Sequence, residues 1–173
     1  MPAHVSPAEV RLLALDVDGV LTDGSIMLDD LGHETKRFNV RDGLGITTWL
    51  KMGFHVAIIT KRSGEAVKHR ARELGIKHII QGCASKGLAI GDVTHTTGIP
   101  AREMAFIGDD WPDIPAMRMV GFPIAVADAA AHVKAVAAHT TTLPGGHGAV
   151  REAIEHLLTA KDMLNQAIEL ITQ

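Results

Sequence analysis

Short apolar runs alternate with helix-patterned segments along almost the whole chain, and this alternation restricts the fold more than any other feature. The runs occupy residues 12–17, 55–60, 78–81, 104–108, 122–126 and a shorter stretch near 139–142. Several are apolar at consecutive positions, as strands covered by helices on both faces should be. Helical patterns span 43–52, 64–74, 85–97, 112–120 and 129–137. Gly53 and Gly75 close the first two, and Gly98 with Pro100 follows the third. Such an order calls for a parallel sheet with right-handed crossovers. The expected fold class is α/β, a Rossmann-like three-layer sandwich with a mostly parallel sheet. At 173 residues, a single domain is the default.

Two segments depart from the alternation. Residues 25–38 alternate like a hairpin, with Asp29-Asp30-Leu31-Gly32 as its turn. This is a small flap; no insert between the strands is long enough to fold as a large cap domain. The last segment, residues 148–173, reads as one long helix set at about 148–172. Ile154, Leu157, Leu158, Leu164, Ile168 and Ile171 fall on one stripe of it.

Composition removes several function classes. The chain has four Phe, two Trp and no Tyr, too few aromatics for base stacking. A net charge of −3 with no basic run leaves no footprint for a phosphate backbone, so no nucleic-acid partner is expected. The ten histidines are scattered, and none partners Cys83 at a zinc spacing. A lone cysteine forms no internal disulfide and fits a reducing cytoplasm. The N-terminus shows no basic segment followed by a long apolar one, so neither a signal peptide nor a membrane span is expected.

The chemistry concentrates at strand ends, where parallel α/β sheets bind ligands. The first apolar run ends in Asp16 and Asp18, which project to the same side of a strand. Two carboxylates so placed repel, and burying them is unfavourable unless a divalent cation, a retained proton or both compensate. Asp-Gly is also a common turn pair, so the pair alone divides evenly between turn and catalyst. Thr60 ends the second run, where its hydroxyl and the following backbone N–H groups suit a phosphate oxygen. Lys86 opens a helix, a cation where anions are favoured. Gly108-Asp109-Asp110-Trp111-Pro112-Asp113 ends a fourth run with oxygen ligands of the kind Mg²⁺ takes. Helix capping accounts for Asp110 and Asp113 almost as well, and for Asp109 less well.

Taken in order, Asp-x-Asp-Gly, Thr, Lys and Gly-Asp-Asp-x-x-Asp resemble the haloacid dehalogenase superfamily of phosphatases. The resemblance covers about residues 12–152. It extends to Asp-Val-Asp-Gly-Val-Leu-Thr-Asp-Gly at 16–24, to Lys36-x-Phe38-Asn39-Val40-x-Asp42-Gly43, and to Gly145-Gly146-x-Gly148-Ala149-Val150-Arg151-Glu152. These segments look like the subgroup of 3-deoxy-D-manno-octulosonate (KDO) 8-phosphate phosphatases and the related sialic-acid 9-phosphate phosphatases.

The resemblance implies specific roles. Asp16 would be the nucleophile that forms an aspartyl phosphate, and Asp18 the general acid/base. Mg²⁺ would be held by Asp16, by Asp18 through its backbone carbonyl, and by Asp109, with Asp110 or Asp113 orienting the shell. Thr60 and Lys86 would bind the phosphoryl oxygens. Arg62 and Arg70 would receive a sugar-acid carboxylate, although Arg70 also reads as a solvated helix charge. The subgroup forms homotetramers in which each hairpin helps to close a neighbour's site. The C-terminal helix could also reach a neighbour, or simply pack on its own sheet. Two positions depart from the pattern. Lys61 stands where the subgroup usually has Gly, placing a bulky cation at the mouth of the site. His147 stands where the glycine loop often carries Arg or Lys. Both bear on the sugar more than on the reaction. A receiver-like phosphoacceptor module is a rival from another class, disfavoured because such modules place the acceptor Asp on a middle strand.

Overall fold

The computed structural model describes residues 4–172. In chain order, β1 (Leu12–Leu15) is followed by two short strands, β2 (Met27–Leu28) and β3 (Glu34–Thr35). Then come α1 (Val40–Lys51), β4 (His55–Ile59), α2 (Glu65–Leu74), β5 (His78–Ile80) and α3 (Lys86–Thr97). The second half comprises β6 (Met104–Gly108), α4 (Ile114–Met117), β7 (Phe122–Ala125), α5 (Ala131–Lys134), β8 (His139–Thr140), α6 (Ala149–Ala160) and α7 (Leu164–Thr172). Six strands form one sheet in the order β5-β4-β1-β6-β7-β8, with every pairing parallel. The α/β expectation therefore holds.

The central position of β1 follows from its sequence. Leu12, Leu13, Ala14 and Leu15 are all fully buried, because β4 and β6 flank the strand and helices cover both faces. From β1 the chain builds outward through β4 and β5, then returns to the other side through β6, β7 and β8. The strand order thus reverses beside β1, which opens a crevice at its carboxyl end. Asp16 lies in that crevice, between Thr60 at the end of β4 and Asp109 at the end of β6.

Several boundaries shift from the sequence reading. Helix α1 begins at Val40 rather than Gly43, because the Asn39 side chain caps it by accepting the Arg41 N–H. Gly43 and Gly45 serve close packing instead. A Cβ on Gly43 would lie 2.2 Å from the Arg70 guanidinium, and one on Gly45 would lie 3.2 Å from the Arg151 backbone. The segment expected at 112–120 divides into a 3-10 turn (Trp111–Asp113) and the four-residue α4, and α5 is similarly short.

The single C-terminal helix is corrected. It breaks after Ala160, turns through Asp162 at φ 56°, and resumes as α7; Gln173 lies outside the described residues. A short polar residue tolerates that left-handed conformation. The turn lets α7 fold back against α1 and α6 and bury Ala167, which a straight continuation of α6 would carry away from the core. The stripe read from the sequence is real, but two helices share it.

The hairpin is present as the antiparallel β2–β3 pair, with Leu28 opposite Glu34. Asp29 closes its turn by accepting the Leu31 and His33 N–H groups. Ile26, Met27, Leu28 and Leu31 are exposed on it, Leu31 to 81%. No helix among the described residues is long and apolar enough to cross a membrane.

Candidate active site

The ends of β1, β4 and β6 and the start of α3 enclose a cleft of about 320 Å³. Asp16, Asp18, Thr60, Lys61, Arg62, Lys86, Asp109, Asp110 and Asp113 all line it. A larger cavity of about 570 Å³ opens beside Arg41 and Arg151, away from the strand ends. Most of its charges are already engaged: Arg151 pairs with Glu155, and Glu152 accepts the N–H groups of Thr142 and Leu143.

Within the cleft, Asp16, Asp109 and Asp113 each bring a carboxylate oxygen within 4.8 Å of the others. Burial pushes the Asp16 carboxyl up to about 6, with repulsion from Asp113 adding to it and Lys86 opposing it. The Asp109 carboxyl is pushed up to about 8 by burial and then by Asp113 and Asp16. Its Oδ1 is buried without a hydrogen-bond partner. A buried, unpartnered carboxylate oxygen aimed into an acidic cleft is what a hard divalent cation would satisfy.

Lys86 is the counter-charge inside this cluster. Its ammonium contacts Asp16 at 2.7 Å and also Asp113, and it is almost fully buried. Burial alone would lower its pKa, but attraction to Asp16 and Asp113 outweighs that and raises it. Ser85 sets the position by capping α3, accepting the Leu88 N–H. Asp113 also accepts the backbone N–H groups of Asp109 and Asp110. Asp113 thereby orients the Asp109 loop, while its oxygens are largely committed to Lys86 and the backbone. Asp110 stands at the rim.

Thr60 is buried, and its Oγ1 accepts the Arg62 N–H at 3.3 Å. The Arg62 N–H is therefore engaged within the loop, while the Thr60 hydroxyl proton stays available to an oxygen in the cleft. Lys61 is exposed at the mouth.

The turn after Asp18 is built for contact. Gly19 has φ +90°, and a Cβ there would lie 2.1 Å from an Asp109 carboxylate oxygen. A Cβ on Gly145 would meet the Gly19 carbonyl oxygen at 1.8 Å. The glycine loop before α6 thus clamps the Asp18–Gly19 turn. Asp42 in turn holds that loop across the chain by accepting the Gly148 and Arg151 N–H groups.

Sequence comparison decides the family. A sequence pattern described as haloacid dehalogenase-like hydrolase matches residues 78–154. The chain is 45% identical over 158 residues to 3-deoxy-D-manno-octulosonate 8-phosphate phosphatase KdsC of Escherichia coli strain K12, covering 91% of this chain and 84% of that protein. The chain belongs to the KDO 8-phosphate phosphatase family of haloacid dehalogenase-like hydrolases. Among solved structures of the family, the Moraxella catarrhalis enzyme, in complex with magnesium, phosphate and KDO, superposes with a TM-score of 0.93. It is 43% identical, over 96% of this chain and 95% of that one. The cobalt-bound Haemophilus influenzae phosphatase gives a TM-score of 0.91 at 36% identity, over 95% of this chain and 99% of that one.

Not every candidate residue of the family pattern enters the cleft of this chain. Arg70 turns away: it pairs with Glu73 at 2.9 Å, reaches the Asn39 carbonyl at 3.4 Å and stacks over Phe38. His147 faces its own loop, with Nδ1 2.8 Å from the Gly145 carbonyl. Neither lines the cleft. Conversely, the sequence reading did not single out Glu34 and Lys36 as site residues. The Lys36 ammonium binds the Asp18 carboxylate and lies 3.1 Å from Glu34. Arg62 pairs with Glu34 at 2.8 Å, and its Nε stands 3.7 Å from Asp18. The available signal was weak: residues 34 and 36 share a face of an extended segment, as any alternating hairpin pair does.

The raised carboxyls predict how a divalent cation acts on the protein. The Asp16 and Asp109 carboxyls are pushed up to about 6 and about 8 in the folded chain, above the ordinary aspartate range. The folded state therefore binds protons that the unfolded state has released. This contribution to stability is full below about pH 4 and is lost as pH rises through 6 and then 8. A cation held by these carboxylates replaces the protons. Mg²⁺ should raise the melting temperature of chelator-treated protein more at about pH 8 than at about pH 5, releasing protons as it binds. A Mg²⁺ increment that is larger at the acid end would overturn the carboxylate assignment.

Proposed function

We propose that this chain is a Mg²⁺-dependent phosphoric monoester hydrolase that converts KDO 8-phosphate to KDO and inorganic phosphate. The observation that carries the reaction is the buried Asp16–Asp109–Asp113 cluster with Lys86 inside it and Thr60 beside it. The family relatives carry the substrate.

Asp16 attacks phosphorus through a carboxylate oxygen and becomes an aspartyl phosphate. Asp18 delivers a proton to the bridging oxygen as the phosphorus–oxygen bond breaks, so the sugar departs as an alcohol. Asp18 then takes a proton from the water that attacks the aspartyl phosphate, releasing inorganic phosphate and restoring Asp16. Lys86 and the Thr60 hydroxyl bind the phosphoryl oxygens and neutralise the charge that builds on them. Mg²⁺ would be held by Asp16, Asp109 and the Asp18 backbone carbonyl, and when bound it supplies positive charge to Asp16 and the phosphoryl oxygens. Asp113 keeps the Asp109 loop in place for it, with Asp110 at the rim.

Arg62, Arg70, Lys61 and His147 complete the proposal as sugar-acid contacts. Arg62 already stands at the cleft, whereas Arg70 and His147 would act only after leaving their present partners or from outside this chain's cleft. The second substrate reading is a nine-carbon sialic acid 9-phosphate, and the mouth residue Lys61 is the position that keeps it in view. A screen comparing turnover of KDO 8-phosphate and sialic acid 9-phosphate, each with and without Mg²⁺, tests both. A clear preference for the eight-carbon substrate supports the proposal, and equal rates defeat any narrow assignment.

The open cleft and the exposed apolar side chains Ile26, Met27, Leu28 and Leu31 support assembly as a homotetramer, in which a neighbour's flap covers the site. The chain would act in the cytoplasm as one domain, with Cys83 free. A sedimentation experiment showing only monomer would remove the assembly part of the reading.

A further inference from the structure

The flap reaches the catalytic centre through one buried cation. Lys36 follows β3, and its side chain is only 3% exposed. Its ammonium is held between Asp18 and Glu34. Glu34 in turn accepts from Arg62, on the loop after β4, and Arg62 approaches the second Asp18 oxygen. Both oxygens of the Asp18 carboxylate thus face cations on its flap side: Lys36 on one and Arg62 near the other. Glu34 bridges these two cations and fixes their spacing. Lys36 is not among the residues lining the cleft, so its place is behind Asp18 rather than against a bound phosphate.

We propose that Lys36, fixed by Glu34, is the positioning residue for the Asp18 carboxyl group, so that the flap strand sets the geometry of proton transfer to the departing sugar oxygen. The proposal rests on the acid/base role of Asp18 given above. The physical basis is confinement. A carboxyl group at the end of one rotatable side chain can face Lys86, the solvent or the leaving oxygen, and only the last is productive. The charge-assisted hydrogen bond from Lys36 to one oxygen removes most of that freedom and leaves the other oxygen, which Arg62 only approaches, to carry the proton; misplacement by about 1 Å is enough to lose on the order of 100-fold in rate. Lys36 is suited to this task because it is buried and cannot trade its partners for water. Arg62, half-exposed, is free to meet a substrate as well.

Proton delivery matters in proportion to how poor the leaving group is. A sugar alkoxide must be protonated as it leaves, whereas p-nitrophenolate departs unaided. The test is therefore single-turnover phosphorylation of Asp16 with Mg²⁺ present, followed for KDO 8-phosphate and for p-nitrophenyl phosphate. Lys36→Met should slow phosphorylation from the sugar phosphate by about 10–100-fold. It should change nitrophenolate release by less than about three-fold, because that step draws little on the acid. Lys36→Arg should recover a substantial part of the loss, and Glu34→Gln should show a milder form of the same pattern. Equal losses on both substrates would mean a structural role and would overturn the proposal, as would no loss on either. Asp18→Asn separates this from the underlying reading. If that variant phosphorylates at the wild-type rate from the sugar phosphate, the acid role itself fails. If it shows the leaving-group pattern and Lys36→Met does not, only the positioning role fails.

Discussion

Asp16→Asn should abolish Mg²⁺-dependent phosphate release, with a loss of about 10⁴-fold or more, while leaving the fold intact. The carboxamide keeps the shape of the side chain and an oxygen for Lys86, but it is no longer a carboxylate nucleophile. Stability should not suffer. The raised Asp16 pKa of about 6 means that burial and Asp113 together outweigh Lys86, so the ionised carboxylate is a net burden on the metal-free fold at neutral pH and above. The sign follows directly: a carboxyl raised above its unfolded value weakens the fold as pH rises through about 6, and the amide removes that weakening. At about pH 8 without metal, the variant should melt at or above the wild-type temperature. A phosphate-release assay and a thermal melt read the two outcomes. Retained turnover at more than about one percent of wild type would refute the nucleophile assignment.

Lys86→Met should have the largest effect on the fold itself. The replacement preserves the aliphatic stem but removes the cation buried between Asp16 and Asp113. Removing one partner of a buried ion pair leaves uncompensated charge, and the expected loss is about 3–5 kcal/mol near neutral pH. Protonation offers the carboxylates another way to shed charge, so the destabilisation should shrink as pH falls toward 5. Mg²⁺ should recover part of the stability at pH 8, because it also neutralises the cluster. Phosphate release should stay lost even where the fold is recovered, since Lys86 also binds the phosphoryl oxygens. Denaturant titrations at the two pH values, with and without Mg²⁺, measure the first effect. A destabilisation that is independent of pH would show that Lys86 acts by packing rather than by charge.

The sheet was legible because its four inner strands, β4, β1, β6 and β7, are short apolar runs buried on both faces, and that pattern survives any detail of packing. The positions of Asp16, Thr60 and Asp109 followed from it, since each terminates such a run and parallel strands point their carboxyl ends the same way. Asn39 shows where legibility stopped. Glycine at 43 looked like a helix boundary, yet the helix starts at Val40 and the glycine is needed for the approach of Arg70. The C-terminal helix shows the same limit, because neither Gly nor Pro marks the turn at Asp162. Only the gain from folding α7 back onto α1 and α6 explains it.

By itself, the sequence determined the α/β class and the strand ends that carry the carboxylates, threonine and lysine, groups suited to a divalent cation and a phosphate, while the reaction type came from the resemblance of the ordered motifs. The class and the strand ends depend on local periodicity and on the chemistry of single side chains. Tertiary structure alone decided which charges meet. It drew Asp113 to Lys86 and two backbone N–H groups, turned Arg70 toward Glu73, and set Lys36 of the flap behind Asp18. The Lys86–Asp113 and Lys36–Asp18 pairings join residues far apart in the chain, on different elements. Their geometry is fixed by how helices and flap pack on the sheet, and no period in the sequence encodes that.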